Sequence, residues 1–78
     1  MTTPEQVKSY IEQGLACELV RVDGDGHHFE AVIVSAAFRG KNKVQQHQLV
    51  YRALGDRMRE EIHALSIQTH TPEDWQQK

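Results

Sequence analysis

The side chains best suited to metal or nucleophilic chemistry are one cysteine, Cys17, and five histidines, which are His27, His28, His47, His63 and His70. A single cysteine cannot form an internal disulfide. The sequence also has no Cys-x-x-Cys pair, which argues against a thiolate zinc site and a dithiol redox site. Metal chemistry in this protein therefore depends on histidine, or on ligands that a partner supplies.

By spacing alone, some of the histidines are expected to be structural, whereas others could be structural or could be ligands. His47 lies on an apolar helical stripe with Val44 and Tyr51, where a packed or partly buried imidazole is expected. His70 precedes Thr71-Pro72 and is expected to be a surface linker residue. His63 suits the start of a strand, where it can cap backbone groups or act as a ligand.

His27 and His28 stand at the end of a glycine-rich turn between two predicted strands. They fit two interpretations equally well. They are either solvated residues that suit a tight turn, or ligands that the turn presents.

Sequence signatures of catalysis are missing. The chain has neither the phosphate-binding Gly-x-x-x-x-Gly-Lys-Ser/Thr motif nor the His-Glu-x-x-His motif of metal hydrolases. Glu60, Glu61 and His63 are close in sequence, but the carboxylates end a predicted helix whereas the histidine starts a strand. A domain this small also has little depth for a substrate pocket. We therefore predict no enzymatic activity.

Three basic residues, Arg39, Lys41 and Lys43, could form a patch that contacts nucleic acid near the start of a helix. The net charge of −2 and a pI near 6.2 give no general attraction to phosphate, so such binding requires a local patch. Gly40-Lys41-Asn42-Lys43 has only the first glycine of the Gly-x-x-Gly clamp found in KH domains. Phe29 and Phe38 are better explained as core residues than as platforms for bases.

The elements that position these side chains begin with a helix and a hairpin. Thr3-Pro4-Glu5-Gln6 has the residues of a capping box with proline in the first helical position, and the helix is expected to end near Gly14 to Cys17. Glu18 to Asp23 and His28 to Ser35 then predict a β-hairpin. The second strand carries apolar residues on both faces, which is typical of a central strand.

The second half of the chain predicts a long helix, a strand and a short helix. Val44, His47, Tyr51, Leu54 and Met58 follow at helical spacing, and Gly55-Asp56 predicts a break into a longer and a shorter helix. Ile62 to Thr69 reads as a third strand, parallel to the second because such crossovers are right-handed. Thr71-Pro72-Glu73-Asp74-Trp75 starts a terminal helix, from which Trp75 can pack back on the body.

Length and composition fit one small α+β domain over residues 1–78, in the order α-β-β-α-(α)-β-α, with a three-stranded mixed sheet. No apolar run approaches the ~20 residues of a membrane span. The N-terminal residues also lack the basic start and apolar stretch of a signal peptide. We expect a cytoplasmic protein that does not enter the membrane.

Several strings resemble the BolA family, specifically its IbaG-like bacterial branch, over nearly the whole chain. They are Val22-Asp23-Gly24-Asp25-Gly26 with His28-Phe29, Phe38-Arg39-Gly40 with Val44, Gln46-His47-Gln48 and Val50-Tyr51, and Ile62-His63-Ala64-Leu65-Ser66-Ile67 through Thr71-Pro72-Glu73-Asp74-Trp75. The last string is the most specific. The resemblance implies a fold like a class II KH domain, with helices packed on the sheet.

The resemblance also implies a role beside monothiol glutaredoxins, with which such proteins share a [2Fe-2S] cluster. One iron is held by the glutaredoxin cysteine and glutathione, and the BolA-like partner offers a strand-opening histidine, which matches His63, and a group from the hairpin loop. No cofactor is expected in the isolated protein. Histidine ligation would raise the potential of the cluster and make its ligand set sensitive to protonation.

The loop ligand is where this sequence departs from part of the family. Some members carry a cysteine there, whereas Asp25 stands at the equivalent position here, and Cys17 lies too early in the chain. His28 matches the His-Phe pair of the IbaG-like branch, and His27 lies higher on the loop, so both remain candidates.

Two functions of different classes follow. The first is an adaptor in iron–sulfur cluster trafficking, assembly or iron sensing, with a monothiol glutaredoxin as partner. The alternative, which the family name implies, is a DNA-binding transcriptional regulator of a stress response that uses Arg39, Lys41 and Lys43. A weak homodimer is compatible with either function.

Overall fold

The structure is a computed structural model that describes residues 2–57, 62 and 64–76. Its elements are helix α1 (Pro4–Gly14), strands β1 (Leu19–Gly24) and β2 (His28–Val34), a 3₁₀ helix (Ala36–Phe38), helix α2 (Lys43–Leu54), strand β3 (Ala64–His70) and helix α3 (Pro72–Gln76). The predicted α+β fold is confirmed. None of the helices within the described ranges is long and apolar enough to cross a membrane.

Both longer helices begin at a capping box. The Thr3 side chain accepts a bond from the Gln6 backbone N–H at 3.2 Å, and the Gln6 side chain accepts one from the Thr3 N–H at 2.9 Å. Asn42 and Gln45 repeat the arrangement at α2, with distances of 2.8 and 3.0 Å. Each box satisfies backbone donors that the first turn of a helix leaves without an intrahelical acceptor.

The sheet has the strand order β1-β2-β3, so β2 is central as predicted. β1 pairs with β2 in antiparallel fashion and β3 pairs with β2 in parallel. In the parallel ladder, His28 lies opposite Ala64 and Val34 lies opposite His70. This register brings the end of the hairpin loop level with the start of β3.

The core lies between one face of the sheet and the helices. Phe29, Ala31 and Ile33 of β2 are at most 1% exposed, and Phe38 of the 3₁₀ helix is fully buried. The prediction that both phenylalanines belong to the core is confirmed. Complete burial of such a side chain contributes about 1.5–3 kcal/mol.

The predicted apolar stripe of α2 is confirmed at Leu54 and wrong at Val44 and Tyr51. Val44 and Tyr51 are 66% and 41% exposed, whereas the buried residues of α2 are Gln46, Val50 and Leu54. The helix is rotated because the amide of Gln46 binds buried backbone and side-chain groups, so a polar residue occupies an inward position. His47 is partly buried, as predicted.

His70 is not the surface linker residue that the sequence indicated. It is the last residue of β3, is 8% exposed, and lies with its ring centroid 5.3 Å from that of Trp75. The strand continues through His70, and α3 then folds back so that Trp75 covers the histidine. The prediction that Trp75 packs on the body is confirmed.

The break after α2 occurs where it was predicted. Gly55 has a φ of +59°, and its N–H donates to the Tyr51 carbonyl at 2.9 Å. Glycine takes up this conformation without the steric cost that a side chain would add. The predicted shorter helix, with Met58, falls mainly on residues 58–61, which lie outside the described residues.

Candidate functional site

The turn between β1 and β2 is held by the carboxylate of Asp25. Its Oδ1 atom accepts bonds from the backbone N–H groups of His27 and His28, both at 2.9 Å. The Asp25 N–H donates in turn to the His28 carbonyl at 3.2 Å. Gly26, inside the turn, has a φ of +97°, a conformation that favours glycine.

This hydrogen bonding stabilises the charged form of Asp25. Donation by the His28 N–H, followed by that of His27, holds the pKa of the carboxyl below its usual 3.8. The side chain is therefore a carboxylate at neutral pH. A carboxylate is the stronger hydrogen-bond acceptor, and it keeps the turn closed.

Gly24 fixes the turn from the other side. A Cβ atom at Gly24 would lie 2.4 Å from the His28 carbonyl oxygen and 2.7 Å from Cδ1 of Phe29. Because Phe29 is part of the core, the turn is seated on the buried part of the protein. The sequence therefore needs glycine at this position for close approach of the two strands.

His27 and His28 are both exposed, so their imidazoles are accessible to a ligand or a partner. His28 is the first residue of β2, and its side chain points away from the helices because side chains alternate along a strand and Phe29 points into the core. Ala64 is its partner in the parallel ladder, on a strand roughly 4.8 Å away.

The predicted ligand His63 lies outside the described residues. Its neighbours in the chain are described: Ile62 is 3% exposed, and Ala64 pairs with His28. Within the described part of the chain, no group of three or more histidine, cysteine, aspartate or glutamate side chains could hold a metal ion. A metal bound at the hairpin therefore needs ligands from elsewhere in addition to His27 or His28.

Cys17 lies at the other end of the sheet from the hairpin turn. It precedes β1, whose six residues span roughly 17 Å before the turn begins. Its Sγ donates to the Leu15 carbonyl at 3.3 Å, and burial, with a smaller effect of the nearby Glu12, raises the pKa of the thiol to about 11. The thiolate form needed for metal ligation is thus strongly disfavoured at neutral pH.

The three residues of the predicted basic patch make three different contacts. Arg39 forms a two-bond ion pair with Glu73 of α3, with Nε–Oε1 and Nη2–Oε2 distances of 2.5 and 2.8 Å. The Nζ of Lys43 donates to the Thr69 carbonyl on β3. Lys41 lies instead in a shallow cleft along α2.

That cleft has a volume of about 230 Å³ and is lined by Lys41, Gln45, Gln48, Leu49 and Arg52. It has one cation just before α2 begins and another in the last turn of α2, with two amide side chains of the helix between them. The glutamines were missed by sequence reasoning, because an exposed glutamine on a helix carries no signal of its own. The cleft offers anion recognition without the complete basic patch that was expected.

The sequence did not reveal the role of Asp25 in the turn, because the resemblance marks this residue only as the position of a cysteine in some family members. The available signal was local: aspartate followed by glycine favours a turn in which the side chain bonds the backbone two residues on.

The sequence is similar to those of known proteins. A family model described as BolA-like protein matches residues 7–74. The DNA-binding transcriptional regulator BolA of Haemophilus influenzae is 46% identical over 52 residues, which cover 67% of this chain and 50% of that protein. The acid stress protein IbaG of Escherichia coli is 35% identical over 71 residues, which cover 90% of this chain and 84% of that protein.

Solved structures agree in fold. A BolA protein homologue from Coxiella burnetii superposes with a TM-score of 0.87 at 46% identity, covering 97% of this chain and 99% of that chain. This chain spans half the length of the Haemophilus influenzae relative but nearly all of the Coxiella burnetii one.

Proposed function

The chain belongs to the BolA-like family, and we propose that it acts as an adaptor in iron–sulfur cluster handling. In this proposal it shares a [2Fe-2S] cluster with a monothiol glutaredoxin. This chain supplies His63 and one hairpin imidazole, from His28 or His27. The glutaredoxin cysteine and glutathione supply the ligands on the partner side.

The observation that carries the proposal is the parallel register between β2 and β3. His28 opens β2 directly opposite Ala64, the residue that follows His63 in the sequence. The start of β3 therefore meets the start of β2 at the same end of the sheet, and His63, 35 positions after His28, directly precedes Ala64 in the sequence. The exposure of both hairpin histidines leaves room for a partner protein.

Imidazole donors suit a [2Fe-2S] cluster. Imidazole is an established ligand of one iron in [2Fe-2S] centres, where it raises the reduction potential above that of all-thiolate clusters. An imidazole also loses its ability to bind metal when it is protonated, and its ordinary pKa is near 6.5. A cluster held in this way is suited to transfer or to sensing of acid.

Substitution of His63 tests the adaptor directly. Purified wild type, His63→Ala and His47→Ala are each mixed with cluster-loaded monothiol glutaredoxin and glutathione, and visible absorption and circular dichroism are followed. We expect wild type and His47→Ala to give a new cluster spectrum in a one-to-one complex. We expect His63→Ala to lose that spectrum, because one iron loses its ligand.

His47→Ala is the matched control, because it removes an imidazole that lies on α2, away from the hairpin. An unchanged glutaredoxin spectrum with the wild-type protein would rule out the adaptor. A wild-type spectrum with His63→Ala would remove His63 from the ligand set.

Nucleic-acid binding is the second candidate, and the cleft along α2 favours it. Lys41 and Arg52 line this cleft, with Lys41 just before α2 begins and Arg52 in its last turn. A series of phosphates could contact both cations. The name of the Haemophilus influenzae relative describes a DNA-binding regulator, which agrees with such a role.

The double variant Lys41→Ala/Arg52→Ala tests this second candidate. Loss of two phosphate contacts is expected to weaken DNA binding and to reduce the slope of log affinity against log salt by about 2. Fluorescence anisotropy with a labelled duplex at several salt concentrations measures both quantities. Lys8→Ala, an exposed cation on α1, is the control, and equal salt slopes in all three proteins would contradict the proposal.

A further inference from the structure

We infer that Asp25 is a positioning residue of the proposed cluster site, and that its carboxylate holds the backbone of His27 and His28, so that the one of them that acts as loop-side ligand is presented to the cluster. This inference rests on the proposed function. It also differs from a simple positional reading, in which Asp25 would replace the cysteine of other family members as the ligand.

The geometry of the turn supports this role of Asp25. One oxygen of Asp25 accepts the backbone N–H groups of both His27 and His28 at 2.9 Å. The two candidate ligands are thus fixed, at their backbone nitrogens, to the same atom. A displacement of the carboxylate would move both of them.

The carboxylate of Asp25 is already engaged in hydrogen bonds that hold the turn. Oδ1 already accepts two backbone N–H groups, and a metal drawn to Oδ2 would compete with them for the charge of the same carboxylate. Iron in [2Fe-2S] centres is held by thiolates and, in some centres, by imidazoles, so the exposed histidines are the better donors. The position of Asp25 is therefore explained by what it holds in place.

The turn is also packed closely against the body of the protein. Gly24 packs so closely against the His28 carbonyl and Phe29 that even a methyl group would not fit. Loss of a residue that orients a metal ligand through hydrogen bonds typically costs about 10- to 100-fold in metal affinity. Asp25 and Gly24 together limit the positions that the two imidazoles can take.

The experiment compares three variants of the full chain. Asp25→Ala removes the acceptor. Asp25→Asn keeps an acceptor oxygen but removes the charge, and mass spectrometry confirms that the new amide has not hydrolysed. Gly26→Ala leaves the carboxylate in place but strains the turn, because Gly26 has a φ of +97°.

Two quantities are measured for each variant. The first is the apparent affinity for the cluster, by titration with [2Fe-2S]-loaded monothiol glutaredoxin and glutathione. The second is the hydrogen-exchange rate of the His27 and His28 amides in the protein alone, measured by NMR. We expect Asp25→Ala and Gly26→Ala to bind about 10- to 100-fold more weakly and to exchange faster at these two amides.

Asp25→Asn is expected to lie between wild type and Asp25→Ala in both measurements, because the amide oxygen still accepts the two N–H groups but more weakly than a carboxylate does. If Asp25→Asn loses the cluster while its amides stay protected, the carboxylate itself is a ligand and the inference is wrong. If wild type binds the cluster and Asp25→Ala binds it equally well, the inference fails and the adaptor stands. If wild type forms no cluster complex, the proposed function fails and the inference fails with it.

Discussion

At the scale of single residues, Gln46 shows how a polar side chain determines the packing around it. Its Nε2 donates to the Phe38 and Lys41 carbonyls at 3.2 and 2.9 Å, and its Oε1 accepts from the Thr69 hydroxyl at 2.6 Å. The side chain is 6% exposed. One amide thus joins α2, the segment after the 3₁₀ helix and β3.

Replacement of this amide by an apolar group should leave its partners buried without a bond. We expect Gln46→Leu to lower the free energy of unfolding by about 1–3 kcal/mol, measured by urea denaturation. Thr69→Val in the same protein removes the hydroxyl that Gln46→Leu leaves without its acceptor. The two losses in the free energy of unfolding should therefore not add: the loss in the double variant should be smaller than the sum of the two single losses by about 0.5 kcal/mol or more. Gln48→Leu, on the exposed part of the helix, is the control. Simple additivity would show that the two side chains are not coupled.

The thiol of Cys17 gives a prediction about alkaline pH. Burial raises its pKa from 9.0 to about 11, so the folded protein holds the proton more tightly than the unfolded chain does. The associated stabilisation is fully present below pH 9 and is lost as the pH rises toward 11.

Urea unfolding of wild type and Cys17→Ala across this pH window checks the prediction. Other groups also titrate there, but they are common to both proteins and cancel in the comparison. The difference in free energy of unfolding between the two proteins should shift against the wild type as the pH rises. A difference that does not change with pH would mean that the thiol titrates alike in the folded and unfolded states.

At the scale of elements, the two long helices approach each other closely at Gly14. A Cβ atom there would lie 2.8 Å from both the Cα and the Cβ of Ala53. Since the contact involves backbone, it cannot be relieved by a change of rotamer. α1 and α2 would have to move apart.

Gly14→Ala is therefore expected to destabilise the protein, opposite to the usual effect of replacing glycine with alanine in a helix. Alanine normally stabilises a helix relative to glycine by roughly 0.5–1 kcal/mol. Here we expect destabilisation of about 1–3 kcal/mol from overpacking, measured by thermal and urea unfolding. Ala53→Gly in the same protein should restore part of the loss, because it removes one of the two contacts, and a Gly14→Ala variant more stable than wild type would contradict the helix contact.

At the scale of the whole molecule, the sequence was enough to predict the element order, the central position of β2 and the parallel placement of β3. These follow from local signals such as the Thr3 cap and from the handedness of strand–helix–strand crossovers. The orientation of α2 did not follow, because burial of Gln46 depends on Phe38 and Thr69, which only tertiary structure brings near. The burial of His70 was missed for the same reason, since Trp75 covers it from another element.

The candidate site was predictable in part. The hairpin, its two histidines and a parallel third strand are visible in the sequence, but the register that sets His28 opposite Ala64 needed the structure. The bonds from Asp25 to two successive backbone amides needed the folded turn. The ion pair of Arg39 with Glu73 could not be foreseen, because Glu73 lies 34 positions further along the chain.

The parallel pairing of β2 and β3 has a consequence for biosynthesis. The hairpin with His27 and His28 is built from neighbouring residues and can form early, but β3 reaches β2 only after the intervening helix has been made and packed. Contacts of such large sequence separation form slowly compared with local ones. A nascent chain in which β3 has not yet emerged thus displays only half of the proposed binding edge, so loading of a cluster would have to await pairing of β3 with β2.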